Sequence, residues 1–406
     1  MSAGVCIMNK NAIALAADSA VTIGNHKTIF NSANKLFALS DKAPIGAIIY
    51  SNVEMQYIPM EIILKQFKLY LGDIVFPELK DYFNSFIKFL LEKENLFHFN
   101  NTESAFVKGI YISLLNGLKN DYESEIRSKI EEKEKNLTQK ELIAIARKVT
   151  KQTIDYVEML PNNKNVSLSS YISKTYSTDI ADYISANFTW IADDMRTDLI
   201  NSVCKVFDKV FYRAGFVGLA FAGYGEDDIF PKMLHINISG IINHQVVYTI
   251  IEEVCLSEIN TAAITPLAQK DVMQTFLYGI NDELINALKM DIPQQITTAF
   301  TGIDSSFFAD NKKNEVENTI VAAAGPIIQN IIYTAQRNYM IPMINSVAIL
   351  PVEELSLLAE SMIHITSIRR KVALDDNVGT VGGPIDIAII TKADGFQWLR
   401  QKSISK

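Results

Sequence analysis

Residues 2–19 read SAGVCIMNKNAIALAADS, and the fold turns on how that stretch is read. Two short apolar runs, 4–8 and 12–17, flank Asn9-Lys10-Asn11, a turn-forming triplet. Runs this short do not separate strand from buried helix by period alone, and the flanking turn residues favour two strands in a hairpin. Working outward, 28–30 and 36–39 are the expected arms of a second hairpin. Residues 45–50 read as a buried strand that ends at Tyr50-Ser51-Asn52. From 53 to 71 the period turns helical, with Met55, Ile58, Ile62, Phe67 and Leu69 making one face apolar.

Residues 73–213 read as almost wholly helical. Thr138, with Glu141 three residues on, is a capping signature for a helix over 139–160. Strand signals return at 216–222 and 233–248, a second helical stretch covers about 266–340, 353–371 is an amphipathic helix, and 385–392 is a closing strand. The expected units are 1–72 (start of the core), 73–213 (helical insertion), 214–260 (central hairpin), 261–345 (second helical segment) and 346–406 (closing helix and strands). Strands at both ends of the chain with helices between them predict an α+β fold, two sheets enclosed by helix layers in a four-layer αββα sandwich. The strict β-α alternation of a doubly wound sheet is absent.

Composition narrows the function classes. The chain has 406 residues, 48% hydrophobic and 21% charged, with a net charge of -8. That balance fits a core-forming globular protein and argues against broad nucleic-acid binding. No apolar run reaches membrane-spanning length and no signal pattern opens the chain, so a cytoplasmic location is expected. Cys6, Cys204 and Cys255 are scattered, giving neither a disulfide framework nor a metal spacing, and read as small buried apolar residues. His26, His98, His235, His244 and His364 show no ligand pairing, so no metal and no cofactor are expected. The loop 379–384 precedes a strand, not a helix N-terminus, and reads as a tight turn, not a phosphate cradle. Three consecutive acids at 226–228 lack EF-hand spacing and read as a hairpin turn.

The chemistry sits at the start. Ser2 follows the initiator methionine, and a small residue there is the usual trigger for removal of that methionine. The serine would then carry a hydroxyl and a free α-amine, and the amine can act as the base for its own hydroxyl. An α-amine with a pKa near about 7.7–8.0 is substantially neutral at neutral pH. A lysine beside it favours the neutral amine and stabilises developing alkoxide charge. Buried lysines need a partner, which makes Lys35 with Asp18 the candidate pair. Backbone N–H groups at Tyr50 and Ser51 are the natural oxyanion donors. Taken singly, each has a plainer reading: a small second residue, a strand-end turn aspartate, a solvated lysine. Their combination in this order points to chemistry.

These residues resemble a known family. Ser2, the Ala16-Ala17-Asp18-Ser19 strand end, Lys35 after a hairpin and Gly46 leading a strand into a helix are similar to the start of proteasome-type N-terminal nucleophile (Ntn) hydrolases, bacterial proteasome homologues included. The resemblance covers the first 70 residues and extends to 218–248 and 353–392. It implies Ser2 as nucleophile, Lys35 as its electrostatic partner and Asp18 as the orienting carboxylate. Residues 376–383 loosely resemble the family's later Asp-x-x-Ser-Gly-Gly element, which makes Asp376 and Thr380 supporting polar groups. Val21 and Ile48 are the expected pocket walls. Where the family commonly has a glycine pair, this chain has Tyr50-Ser51, and a tyrosine there is expected to narrow the substrate cleft. The implied activity is hydrolysis of peptide or other amide substrates by a proteasome-like protease. The implied partners are further copies in a homo-oligomeric ring and an unfoldase or other protein bound through the helical insertion, with neither nucleic acid nor membrane involved. Two alternatives stay open: a small-amide Ntn hydrolase working outside a compartment, and a catalytically silent protein using the fold as a binding or assembly scaffold.

Overall fold

A computed structural model describes residues 3–23, 28–30, 33–97, 102–211, 215–304, 312–372 and 381–402. Eight strands open the chain: β1 (Ala3–Asn9), β2 (Ile13–Asp18), β3 (Val21–Ile23), β4 (Thr28–Phe30), β5 (Leu36–Ala38), β6 (Ile45–Ser51), β7 (Glu54–Met55) and β8 (Ile58–Pro59). Helices α1 (Met60–Leu71), α2 (Leu79–Glu92), α3 (Glu94–Phe97), α4 (Thr102–Lys133), α5 (Gln139–Met159), α6 (Ser169–Asn187) and α7 (Asp193–Lys205) follow. Then come β9 (Val217–Gly223), β10 (Lys232–Ile242), β11 (Gln245–Cys255) and β12 (Ala262–Ala268). Helices α8 (Asp271–Tyr278), α9 (Asp282–Thr301), α10 (Lys313–Ala335), α11 (Ile341–Val347) and α12 (Val352–Val372) lead to β13 (Ile385–Thr391) and β14 (Gly395–Arg400).

The fold is mixed α/β with antiparallel sheets. Among the described residues the first of two five-stranded sheets has the order β12-β1-β2-β13-β14 and the second β11-β10-β9-β6-β5, beside the two-stranded pairs β3-β4 and β7-β8. The apolar run of β1 is explained by burial on both faces, since successive side chains of a strand point to opposite sides. Cys6 and Met8 face inward with Leu15, Ile48, Ala220 and Ala388 in a core shared by the two sheets. Val5 and Ile7 face outward onto Met273 and Leu277 of α8 and Leu355, Ala359 and Met362 of α12. The outer face of the second sheet is covered by α1 and α2, where Phe67, Phe83, Phe86 and Phe89 gather around Ile49, Leu219 and Phe221.

Helices α4 to α7 bury a separate core, with Leu114, Leu118, Val149, Ile172, Ile180 and Leu199 among its members. It meets the sheets through the β10–β11 hairpin, at Ile242 and Val247. The expected capping box at Thr138 is present, its side chain accepting from the Glu141 N–H.

The structure differs from the sequence reading at several points: the helix read from 53 begins at Met60, after the short strands β7 and β8, and Ile62 and Leu69, read on its apolar face, are exposed. Helix α2, read as the start of the insertion at 73, packs on the second sheet, so the packed insertion begins with α4. The segment from 261, read as helical, opens with β12, an edge strand paired to β1 through Ala3↔Ala268. Pro266 hid it, and an edge position is where a sheet accepts a residue without an N–H. The second hairpin also repartners: β4 pairs with β3, while β5 pairs with β6. Strands of three residues carry too little pattern to declare a partner. Of the cysteines, Cys6 and Cys204 are buried as expected but Cys255 is exposed. Among the described residues no helix is long and apolar enough to cross a membrane.

Candidate active site

Strand register decides which residues meet. β1 begins where β2 ends, with Gly4 opposite Ala17. β12 ends beside the same point, Ala268 opposite Ala3, and β13 starts there, Ile385 opposite Asp18. On the second sheet Leu36 stands opposite Ile48, and the Ile49 N–H donates to the Lys35 carbonyl at 2.8 Å. Lys35 therefore enters its strand at the end of the sheet where Tyr50 and Ser51 leave theirs.

Asp18 and Lys35 meet across the gap between the sheets. Lys35 Nζ donates to Asp18 Oδ1 at 2.6 Å, and the two side chains are 1% and 0% exposed. The same Oδ1 accepts the Ala3 N–H at 2.9 Å, and Oδ2 accepts the Gly382 N–H at 3.1 Å. Lys35 Nζ also donates to the Ala20 carbonyl at 2.6 Å. A buried charge persists only when it is paired and hydrogen-bonded, and this carboxylate has three donors among the described residues. Burial pushes the Lys35 ammonium below its ordinary range; Asp18 beside it works the other way by attraction and hydrogen bonding. The first strand of the chain is thus pinned at its start to the carboxylate that holds the lysine.

Ser51 has a φ of 67°, a left-handed backbone unusual for a residue with a side chain. Such conformations persist where the surroundings enforce them and cluster at functional turns. The next residue, Asn52, is held by its N–H to the Phe216 carbonyl at 3.1 Å. The Tyr50 side chain does not stand in a cleft, contrary to expectation: it is 7% exposed and turned into the layer between the sheets. Its ring lies over Gly218, where any Cβ would overlap it. Its hydroxyl shares a 2.6 Å hydrogen bond with His235 Nε2 and lies 3.3 Å from Asn237 Oδ1. His235 is fully buried, and desolvation pushes its pKa down to about 4, keeping the ring neutral. Its Nδ1 has no hydrogen-bond partner among the described residues.

Ile48, expected as a pocket wall, is fully buried, and an ideal Cβ at Gly4 would lie 2.9 Å from its Cδ1. It forms the floor under the start of β1, and its contact explains the glycine. The Val21 backbone lies in β3. The expectations for Ser2, Asp376, Thr380 and the Val21 side chain lie outside the described residues. The structure thus brings together Asp18, Lys35 and the first residues of β1, with Tyr50 and Ser51 at the same end of the neighbouring strand. Sequence reading missed the Gly382 N–H on Asp18 and the buried His235 and Asn237 behind Tyr50. Gly382 had a signal in the glycine-rich 379–384 loop, but a histidine within an apolar strand gave none. Among the described residues no cluster of three or more histidine, cysteine or acidic side chains is placed to hold a metal ion.

No protein-family model matches the chain, and no curated protein matches it in sequence.

Proposed function

We propose that this protein is an amide-bond hydrolase of the Ntn type, a proteasome-like peptidase with Ser2 as its nucleophile once Met1 is removed. The fold that goes with this reading is the four-layer αββα sandwich, and the two sheets with helices on their outer faces support it. The observation that carries the reading is the buried Asp18–Lys35 pair, with the Ala3 N–H on the same carboxylate oxygen, one peptide bond from Ser2. A fully buried lysine is expensive for a fold, and its place beside the first strand is where an amine-activated hydroxyl needs a fixed positive charge.

In this mechanism the Ser2 α-amine takes the hydroxyl proton as Oγ bonds to the substrate carbonyl carbon. The Lys35 charge keeps that amine neutral beforehand and stabilises the alkoxide as it forms. The oxyanion is received by the Ser51 backbone N–H, since the register turns the Tyr50 N–H, expected as a second donor, toward Gly218 in the β6–β9 ladder. Breakdown cleaves the C–N bond, the amine returns its proton to the leaving nitrogen, and water then hydrolyses the Ser2 ester.

The test is treatment of the full chain with an electrophilic β-lactone probe, followed by intact mass and peptide mapping. The expected result is one probe per chain on Ser2, lost in Ser2→Ala and in Lys35→Met. Retained Met1 with no labelling would overturn the hydrolase and favour the scaffold reading. Light scattering addresses assembly, and a clean monomer would remove the ring in favour of a free-standing small-amide hydrolase.

A further inference from the structure

Lys402 lies two residues beyond β14, yet its side chain is only 10% exposed. Its Nζ donates to Ser19 Oγ at 3.2 Å and to the Ala33 carbonyl. Ser19 is the residue after Asp18, and its hydroxyl donates in turn to the Pro384 carbonyl at 2.8 Å. Ala33 is two residues before Lys35, and its N–H donates to the Ser19 carbonyl at 3.2 Å. Lys402 is itself held from β13: its backbone N–H donates to Asp386 Oδ1 at 2.8 Å, and its Nζ lies 3.4 Å from Asp386 Oδ2. Asp386 is 3% exposed and stands opposite Ala17, the residue before Asp18. A second lysine–aspartate pair thus lies behind the first and ties together the two segments that carry it.

The geometry points to Lys402, held by Asp386, as a positioning residue for the candidate active site, clamping Ser19 to Ala33 and so fixing Asp18 against Lys35. This rests on the reading of Lys35 given above. Holding the Lys402 ammonium at three points costs rotamer freedom that a side chain with no positioning role would keep. Its charge also reaches the site. Lys402 disfavours the charged form of Lys35, and Asp386 favours it, though both effects are smaller than those of burial and Asp18. Among the described residues the charged groups facing this region from the packed elements are Asp18 of β2, Lys35, Asp386 of β13, Lys402 itself and Glu61 of α1, whose carboxyl burial pushes up and Lys65, Asn34 and, least, Lys402 together bring below its ordinary range. Loss of the Lys402 charge removes a repulsion and leaves Asp386 uncompensated, and both changes favour protonated amines nearby.

The experiment compares the full chain with Lys402→Met, Lys402→Arg and Lys402→Met/Asp386→Asn by the rate of β-lactone labelling across a pH series. In Lys402→Met the rate plateau is expected to fall about tenfold, since a small misplacement of reacting groups is costly. Its pH midpoint is expected to rise by about half a unit or more. Lys402→Arg should restore the midpoint, and the double variant should return it toward wild type while the plateau stays low. A Lys402→Met profile that superimposes on wild type overturns the proposal, as does an arginine variant no better than methionine. A second measurement stands apart from catalysis: the titration of Lys35 in protein labelled with ¹³Cε-lysine, assigned by Lys35→Arg. If wild type takes no probe but the Lys35 midpoint rises in Lys402→Met, the clamp stands and the hydrolase reading fails. An unmoved Lys35 midpoint sinks the clamp whatever the probe does.

Discussion

The two-sheet core and the α4–α7 bundle use charge in opposite ways. In the bundle, ion pairs lie on the outside: Arg147 to Asp194, Lys148 to Glu125, Lys205 to Glu158. Their side chains are a quarter to two-thirds exposed, and the core beneath them is apolar. At the end of the sheets where β1 begins the pairs are inside, with Asp18–Lys35 enclosed and Asp386–Lys402 nearly so. Exposed pairs add little to stability, whereas a buried pair spends much of its attraction on desolvation. The bundle is built as a stable module. The end of the sheets carries an arrangement that stability alone does not select.

The contrast is sharpest if one partner of the inner pair is removed. Lys35→Met leaves the Asp18 carboxylate buried without its cation and should cost about 3–5 kcal/mol in urea unfolding. A loss no greater than that of a surface variant would mean the pair is hydrated, and the distinction between the two regions would fall. Acid probes the same end of the molecule without mutation. His235 is neutral when folded, with a pKa near 4, while the unfolded chain protonates it near 6.5. Between those values the unfolded state binds the extra proton, so stability is lost as pH falls from about 6.5 toward 4, by up to roughly 3 kcal/mol from this group. A stability curve flat between pH 6.5 and 5, where few carboxylates titrate, would break that account.

How far this contrast was legible in the sequence depends on the element. The Ala-Ala-Asp-Ser strand end, the lysine after a short hairpin and the capping box are local signals, and each stands where its pattern indicated. Partner choice among three-residue strands, the edge strand containing Pro266 and the seating of α2 depend on register and layer contact across distant segments, which periodicity does not encode. Tyr50 is the clearest case. Its place at the turn was readable, but the inward turn of its ring depends on Gly218 and His235, more than 160 residues away.

Two smaller effects complete the comparison. Gly218→Ala forces a methyl into the space of the Tyr50 ring and should cost about 1–3 kcal/mol by overpacking, measured by thermal unfolding. A stability equal to wild type would show that the ring has room to move. Arg147→Ala removes a two-pronged but exposed bond to Asp194 and should cost at most about 1 kcal/mol, less in high salt. A loss approaching that of Lys35→Met would show that the bundle, too, depends on charge.

One bond described above crosses a boundary. Asp18 belongs to the first sheet and Lys35 leads into the second, so their contact exists only once the two have docked. A nascent or half-assembled polypeptide carries both residues without their contact. On the proposed reading of Ser2, docking of the two sheets is the step that would arm it.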